Sequence, residues 1–197
     1  MELYIIRHGE SETNKLGLHC GWGDPPLTQL GHEQAKLCGS LIKHIKFDLV
    51  YVSDLLRARQ TAEGALPGYS YNFSGKLREI NVGKLAYQSP EQCLEKYGQL
   101  YKEAKEKHDY RYFGGESSEE MMDRIISFMH ELENLNDGNI ENVAVVAHEG
   151  TVDCILSYVL GSDNVIQSTK LDNASVSRFS YNNGKWKLNT WNYRGTI

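Results

Sequence analysis

Three short, continuous apolar runs constrain this chain most: Leu3-Tyr4-Ile5-Ile6, Leu49-Val50-Tyr51-Val52 and Val143-Ala144-Val145-Val146-Ala147. None shows the polar alternation of a strand with one wet face, so each reads as a strand buried on both faces. Such strands need helices on both sides and run parallel to one another. A parallel sheet has one edge where strand C-termini meet helix N-termini, and ligands bind in the crevice there. The first run ends in Arg7-His8-Gly9 and the third in His148-Glu149-Gly150, so chemistry-bearing residues fall at that edge twice. Gly9 is expected to let the backbone come close to whatever binds.

The segments between the runs carry helical signals. Residues 9–26 read as a long loop at the site, and loops of this length in a compact domain are usually functional. Thr28 is expected to cap a helix with Ala35, Cys38, Leu41, Ile42 and Ile45 at helical spacing. Ser53 is expected to cap a second helix running through about Ala65. Residues 69–79 are ambiguous but suit a strand ending near Leu77-Arg78-Glu79. Ser89-Pro90-Glu91-Gln92 combines an N-cap, a proline at the first helical position and a capping box, predicting a helix to about Lys107. Ser117 and Glu120 form another capping box, ahead of Met121, Met122, Ile125, Ile126, Met129 and Leu132 on one face. A helix from about 151 to 160 is closed by Gly161. Residues 174–181 and 185–191 alternate around Asn183-Gly184, a type I′ turn signal, and predict an edge hairpin.

These elements imply an α/β fold, a three-layer α/β/α sandwich with a mostly parallel central sheet and an antiparallel edge hairpin. One domain over residues 1–197 is expected, because a chain of this length can bury an adequate core without staples and shows no linker or internal repeat. Residues of about 80–116, rich in tyrosine, form a helical and aromatic excursion, either packed on the sheet or capping the site.

Composition excludes several function classes. The formal charge of −5 argues against nucleic acid as a partner, since phosphate-backbone binding needs a basic face. No apolar run approaches a bilayer span, so no membrane association is expected. The N-terminus lacks the pattern of a signal peptide, making a cytoplasmic location the expectation. Cys20, Cys38, Cys93 and Cys154 are dispersed without metal-finger spacing and are expected to be free thiols. A homodimer is possible.

If the first and third strands are neighbours, His8 and His148 converge beside Arg7. Arg57, one turn into the helix after the second strand, faces the same edge, and Glu79 follows the ambiguous third strand. A metal site could use the imidazoles with Glu79, Glu149 or Asp153, but two nearby arginines oppose a cation. Acid–base chemistry on a neutral substrate leaves the arginines unexplained. Phosphoryl transfer uses every group: arginines clamp phosphate oxygens, a neutral histidine attacks phosphorus, and a carboxylic acid protonates the departing oxygen.

The ordered motifs then carry a resemblance. Arg7-His8-Gly9-Glu10-Ser11 with Asn14, the segment from Ser53 to Ala62, Leu77-Arg78-Glu79, Gly114-Gly115-Glu116-Ser117 and Val146-Ala147-His148 resemble the motifs of the histidine phosphatase superfamily, the phosphoglycerate-mutase-like group. Gly21-Trp22-Gly23-Asp24-Pro25-Pro26-Leu27-Thr28 is similar to its loop before the first helix, and Asn173-Ala174-Ser175-Val176 to its late strand. The resemblance implies that His8 becomes a phosphohistidine. It implies that Arg7, Arg57 and His148 bind the phosphoryl group, with Asn14 and the backbone near Gly21 assisting. Glu79 would donate a proton to the leaving group and then activate water. No metal or cofactor is implied.

Two positions depart from the family pattern. Glu149 stands where glycine is common, and Asp153 where arginine often follows. A carboxylate about 4 Å from the phosphate would cost on the order of 1 kcal/mol in water and ~4 at a partly screened surface. Glu149 is therefore expected to modulate the site by pointing away or meeting a polar or cationic part of the leaving group; a role as proton donor in place of Glu79 stays open. Asp153 is expected to be solvated or capping. Glu79 is followed by Ile80-Asn81-Val82-Gly83, without the basic residues by which mutases of this group hold phosphoglycerate. The leading reading is a small phosphomonoesterase; some phosphatases of this shape act on metabolites such as α-ribazole phosphate. The alternatives are a mutase and a non-catalytic phosphate-binding module.

Overall fold

The computed structural model describes residues 1–135, 139–162 and 169–195. Strands β1 (Glu2–Arg7), β2 (Leu49–Ser53), β3 (Asn72–Ser74), β4 (Asn142–Ala147), β5 (Val176–Asn182) and β6 (Lys185–Tyr193) form one sheet in the order β3-β2-β4-β1-β5-β6. The first four are mutually parallel, and β5 and β6 add an antiparallel hairpin at one edge. Asn183 and Gly184 both take positive φ, 51° and 72°, as the type I′ turn requires.

Burial on both faces explains the unbroken apolar runs. Val143 and Val145 of β4 join Leu3 and Ile5 of β1 in a core with helices α6 (Ser118–Asn134) and α7 (Glu149–Leu160). The alternate residues Ala144 and Val146 join Ile6, Val50 and Val52 in a second core with α2 (Gln29–Ile42) and α3 (Leu56–Ala65). The result is three layers. The helix signals mostly hold: Thr28 Oγ1 accepts from Gly31 N at 3.0 Å, and the capping boxes at Ser89 and Ser117 form. The buried face of α6 is Met121, Ile125, Phe128, Met129 and Leu132, with Phe128 in place of Met122 and Ile126. Among the described residues no helix is long and apolar enough to cross a membrane. All four cysteines are free.

Four expectations need correction. The loop of residues 9–26 contains a short helix α1 (Glu12–Leu16), because Ser11 and Asn14 make a capping box and Gly17 closes it in the left-handed region. The third strand is only three residues long and passes into a 3₁₀ turn, Gly75–Leu77, before Glu79. The helix predicted to reach Lys107 is two helices, α4 (Pro90–Tyr97) and α5 (Gln99–Lys107), broken where Gly98 adopts φ 54° and ψ −122°. Ser53 does not cap α3, whose N-cap position is Leu55; its hydroxyl serves the site instead.

The aromatic excursion has its own small core of Val82, Leu85, Cys93, Tyr101, Ala104, Tyr110 and Phe113. It leans on residues 18–24 through His19 Nε2 and Tyr101 Oη (2.7 Å), a Tyr87 hydroxyl accepting from Asp24 N (2.7 Å), and backbone bonds between His19 and residues 87 and 88.

Candidate active site

The parallel pairing of β1 with β4 sets Arg7 opposite Ala147, so the two following residues, His8 and His148, emerge side by side. Their ring centroids are 5.1 Å apart. Strand β2 flanks β4 on the other side, and its last residue reaches the same level: Ser53 Oγ lies 2.8 Å from His148 Nε2. Sequence order β1, β2, β4 thus becomes a row of Ser53, His148 and His8 along one sheet edge.

The protonation state of His8 follows from one contact. Its Nδ1 is 2.7 Å from the carbonyl of Gly9, and a carbonyl only accepts, so Nδ1 carries the hydrogen and Nε2 keeps its lone pair. Burial, then the guanidiniums of Arg57 and Arg7, push this imidazole well below its ordinary value of 6.5, against a raising effect of the Gly9 carbonyl. Burial and Arg57 do the same to His148, with His8, Arg124 and Arg7 adding to the shift. Both rings are neutral at pH 7. The backbone of His8 is pinned by Asn173 Nδ2 and Ala174 N, which donate to its carbonyl at 3.0 and 3.2 Å.

Arg57 is 1% exposed. Its Nη1 and Nη2 donate to the carbonyls of Gly23 (2.8 Å) and Gly21 (2.9 Å). It makes no ion pair among the described residues, and its Nε has no protein partner. Arg7 donates from Nη1 to the carbonyl of Leu171, and its Nη2 lies 2.9 Å from Glu149 Oε2. Arg7 Nε and His148 Nδ1 are likewise buried without a protein partner. Arg7 therefore has Glu149 as its ion-pair partner, while the charge of Arg57 meets no carboxylate among the described residues.

Glu79 reaches this edge through the N-terminus of α7. Its carboxylate accepts from Gly150 N at 3.2 Å and from Ile80 N at 2.8 Å. The loop bearing Glu79 is fixed by its backbone carbonyl, which accepts from Trp22 Nε1 (2.8 Å) and Arg124 Nη2 (3.0 Å). Arg78 is held by a two-pronged pair with Asp54, both contacts 2.7 Å, and stacks 4.7 Å from the Trp22 ring centre.

Sequence reasoning missed three of these parts. Gly150 is required because a Cβ there would lie 2.3 Å from Glu79 Oε1. The sequence reads Ser53 as a helix cap and does not single out Arg124; only their distant partners reveal them. The reading of Gly9 is corrected: a Cβ at Gly9 would meet the Gly31 carbonyl at 2.5 Å, so glycine serves the packing of α2 on the strand end. Asn14 is placed as a cap, its Oδ1 accepting from Ser11 N (3.1 Å) and Ser11 Oγ (2.9 Å). Gly21 contributes its carbonyl to Arg57, as described.

Glu149 does not point away; it holds Arg7. Burial, with the charges of Glu79 and Asp172, raises its carboxyl above the ordinary range, while Arg7 works the other way. Asp153 is not solvated: it is 8% exposed, and burial plus the charges of Glu149 and Glu79 push it up to about 7. Among the described residues no group of three His, Cys, Asp or Glu side chains is placed to hold a metal ion.

The geometry is matched by kinship. The chain is 29% identical over 195 residues to the probable phosphoglycerate mutase GpmB of Salmonella paratyphi A, covering 97% of this chain and 90% of that protein. Among solved structures it is similar to the alpha-ribazole phosphatase of Shigella flexneri, at 26% identity and TM-score 0.90 over 98% of this chain and 97% of that one. It is also similar to a mycobacterial glucosyl-3-phosphoglycerate phosphatase solved with VO3, at 25% identity and TM-score 0.85 over 97% and 98%. A family model of the histidine phosphatase superfamily, branch 1, matches residues 3–194, and the chain belongs to that family.

Proposed function

We propose that this protein is a phosphomonoesterase that hydrolyses a small phosphorylated metabolite through a phosphohistidine on His8. The observation that carries the reading is Arg57: a cation 1% exposed, seated on two neutral carbonyls beside the lone pair of His8. A buried charge is costly unless paired, and a phosphate dianion is the partner that this edge fits. Relatives named as phosphatases of phosphorylated metabolites support the same class.

The step follows from the geometry. With the phosphoryl oxygens on Arg7, Arg57 and His148, His8 Nε2 attacks phosphorus as the P–O bond to the leaving alcohol breaks. Glu79 gives its proton to that oxygen. Water then attacks the phosphohistidine, Glu79 takes a proton from it, and inorganic phosphate leaves with the imidazole restored. The arginines stabilise the charge on the equatorial oxygens without reorganising. In this reading the Asn14 amide nitrogen and the backbone near Gly21 border the phosphate, and the excursion of residues 80–116 supports the wall of residues 18–24 that seats Arg57.

The mutase reading finds less support here, because among the described residues the lining of the cavity beside Glu79 includes no lysine or arginine for a second acidic group. Turnover of p-nitrophenyl phosphate by the purified protein, with trapping of an acid-labile phosphoenzyme, tests the proposal; wild-type protein that neither turns over nor labels would overturn it in favour of a binding module.

A further inference from the structure

Glu79 and Glu149 also line a cavity of about 620 Å³, within the range of small-molecule sites. Among the described residues its walls include Glu79, Glu119, Asp123, Glu149 and Asp153, with His108 and no lysine or arginine. Ile80, Met121 and Met122 supply an apolar side. Resting on the phosphomonoesterase reading above, we infer that this cavity takes the leaving group and that the leaving group is an amino alcohol, its ammonium bound by Asp153 and Glu149.

Direction comes first. Glu79 must face the oxygen it protonates, and Glu79 lines this cavity, so the carbon skeleton of the leaving alcohol enters it. The ligand chemistry follows from two further observations. Asp153 is more than nine-tenths buried and lines the cavity, yet among the described residues its carboxyl has one hydrogen bond, a long one from Thr169 Oγ1 to Oδ1 at 3.4 Å, and no cationic partner. Glu149, one helical turn earlier on the same face, has Arg7 as its counter-ion. Phosphate binding at Arg7 takes that counter-ion away, and leaves a carboxylate facing a dianion. An ammonium on the substrate restores the balance at the moment phosphate upsets it. A leaving group with its own acid would instead meet a wall of five acidic side chains. The upward shift of Asp153 fits a site that lacks its cation. The apolar side chains suit the methylenes between phosphate and amine.

The test compares three esters of similar size, 2-aminoethyl phosphate, 2-hydroxyethyl phosphate and carboxymethyl phosphate, with the full chain at pH 7. A charge-assisted hydrogen bond corresponds to about tenfold or more, so kcat/KM is expected to fall at least about tenfold from the amine to the neutral ester, and again to the acid. Asp153→Asn is expected to reduce the amine-to-neutral ratio about tenfold. Should that variant not fold, Glu149→Gln reads the same ratio from a half-exposed position. Equal rates on the three esters, preference for the acid, or a ratio untouched by both variants overturns the subsite. p-Nitrophenyl phosphate separates the failures: turnover of it without an amine preference overturns the subsite alone, and no turnover of any ester overturns the phosphatase reading with it.

Discussion

Glu149 Oε2 lies 2.9 Å from Arg7 Nη2, so the residue after one histidine neutralises the residue before the other. The contact joins the first turn of α7 to the end of β1, across the two strands whose parallel pairing creates the site. It makes phosphate binding a competition between an internal carboxylate and an external anion.

Removing the competitor is expected to tighten phosphate. For Glu149→Gln the inhibition constant of inorganic phosphate should fall about fivefold, the equivalent of about 1 kcal/mol for a half-exposed pair. Inhibition kinetics with p-nitrophenyl phosphate check it. Weaker phosphate binding in the variant would mean that Glu149 supports Arg7 more than it competes.

His8→Ala is expected to lower phosphatase activity by at least about 10³-fold, because the nucleophile is lost while the arginines still bind substrate. Quenched-flow labelling with a radiolabelled phosphoester should yield an acid-labile adduct on the wild type and none on the variant. Retained labelling would move the nucleophile elsewhere.

Glu79→Gln is expected to cost about 10²-fold or more on alkyl phosphates and less on p-nitrophenyl phosphate, whose oxygen leaves without much protonation. Gly150→Ala should copy this pattern, since its Cβ would stand 2.3 Å from Glu79 Oε1 and displace it. Equal losses on both substrate types would argue against the acid role for Glu79.

The raised value of Asp153, from 3.8 to about 7, gives a signed prediction for stability. Between these values the folded protein holds a proton that the unfolded chain has lost, so the contribution of Asp153 is fully present below pH 3.8 and is lost as pH rises through about 7. Asp153→Asn keeps the neutral shape and escapes this loss. Its melting temperature relative to wild type should therefore rise between pH 5 and 8, by several degrees, and level off above. A constant difference across that range would show that Asp153 is ionised throughout.

How far the chain could be read depended on the distance over which each signal acts. The three apolar runs, the capping boxes at Ser89 and Ser117, the Thr28 cap and the Asn183-Gly184 turn are local, and each is found in place. The break at Gly98 was missed because Ser89-Pro90 and the following helix formers promise continuity, while a glycine in a helix carries only a modest local cost. Ser53 was misread because a serine after a strand is an ordinary cap; that its hydroxyl meets His148 depends on β2 and β4 being neighbours.

By itself the sequence determined the strands, the layered α/β class and the placing of His8, His148 and Arg57 at strand ends or just beyond, because hydrophobic period and capping chemistry are written in consecutive residues. The tertiary structure alone decided that Glu149 pairs with Arg7, that Glu79 is received by Gly150 N, and that Asp153 is buried in a cavity among carboxylates. Those are relations between residues far apart in the chain, fixed by strand order and helix packing, and the charge of a side chain says nothing of its partner until the fold has chosen one.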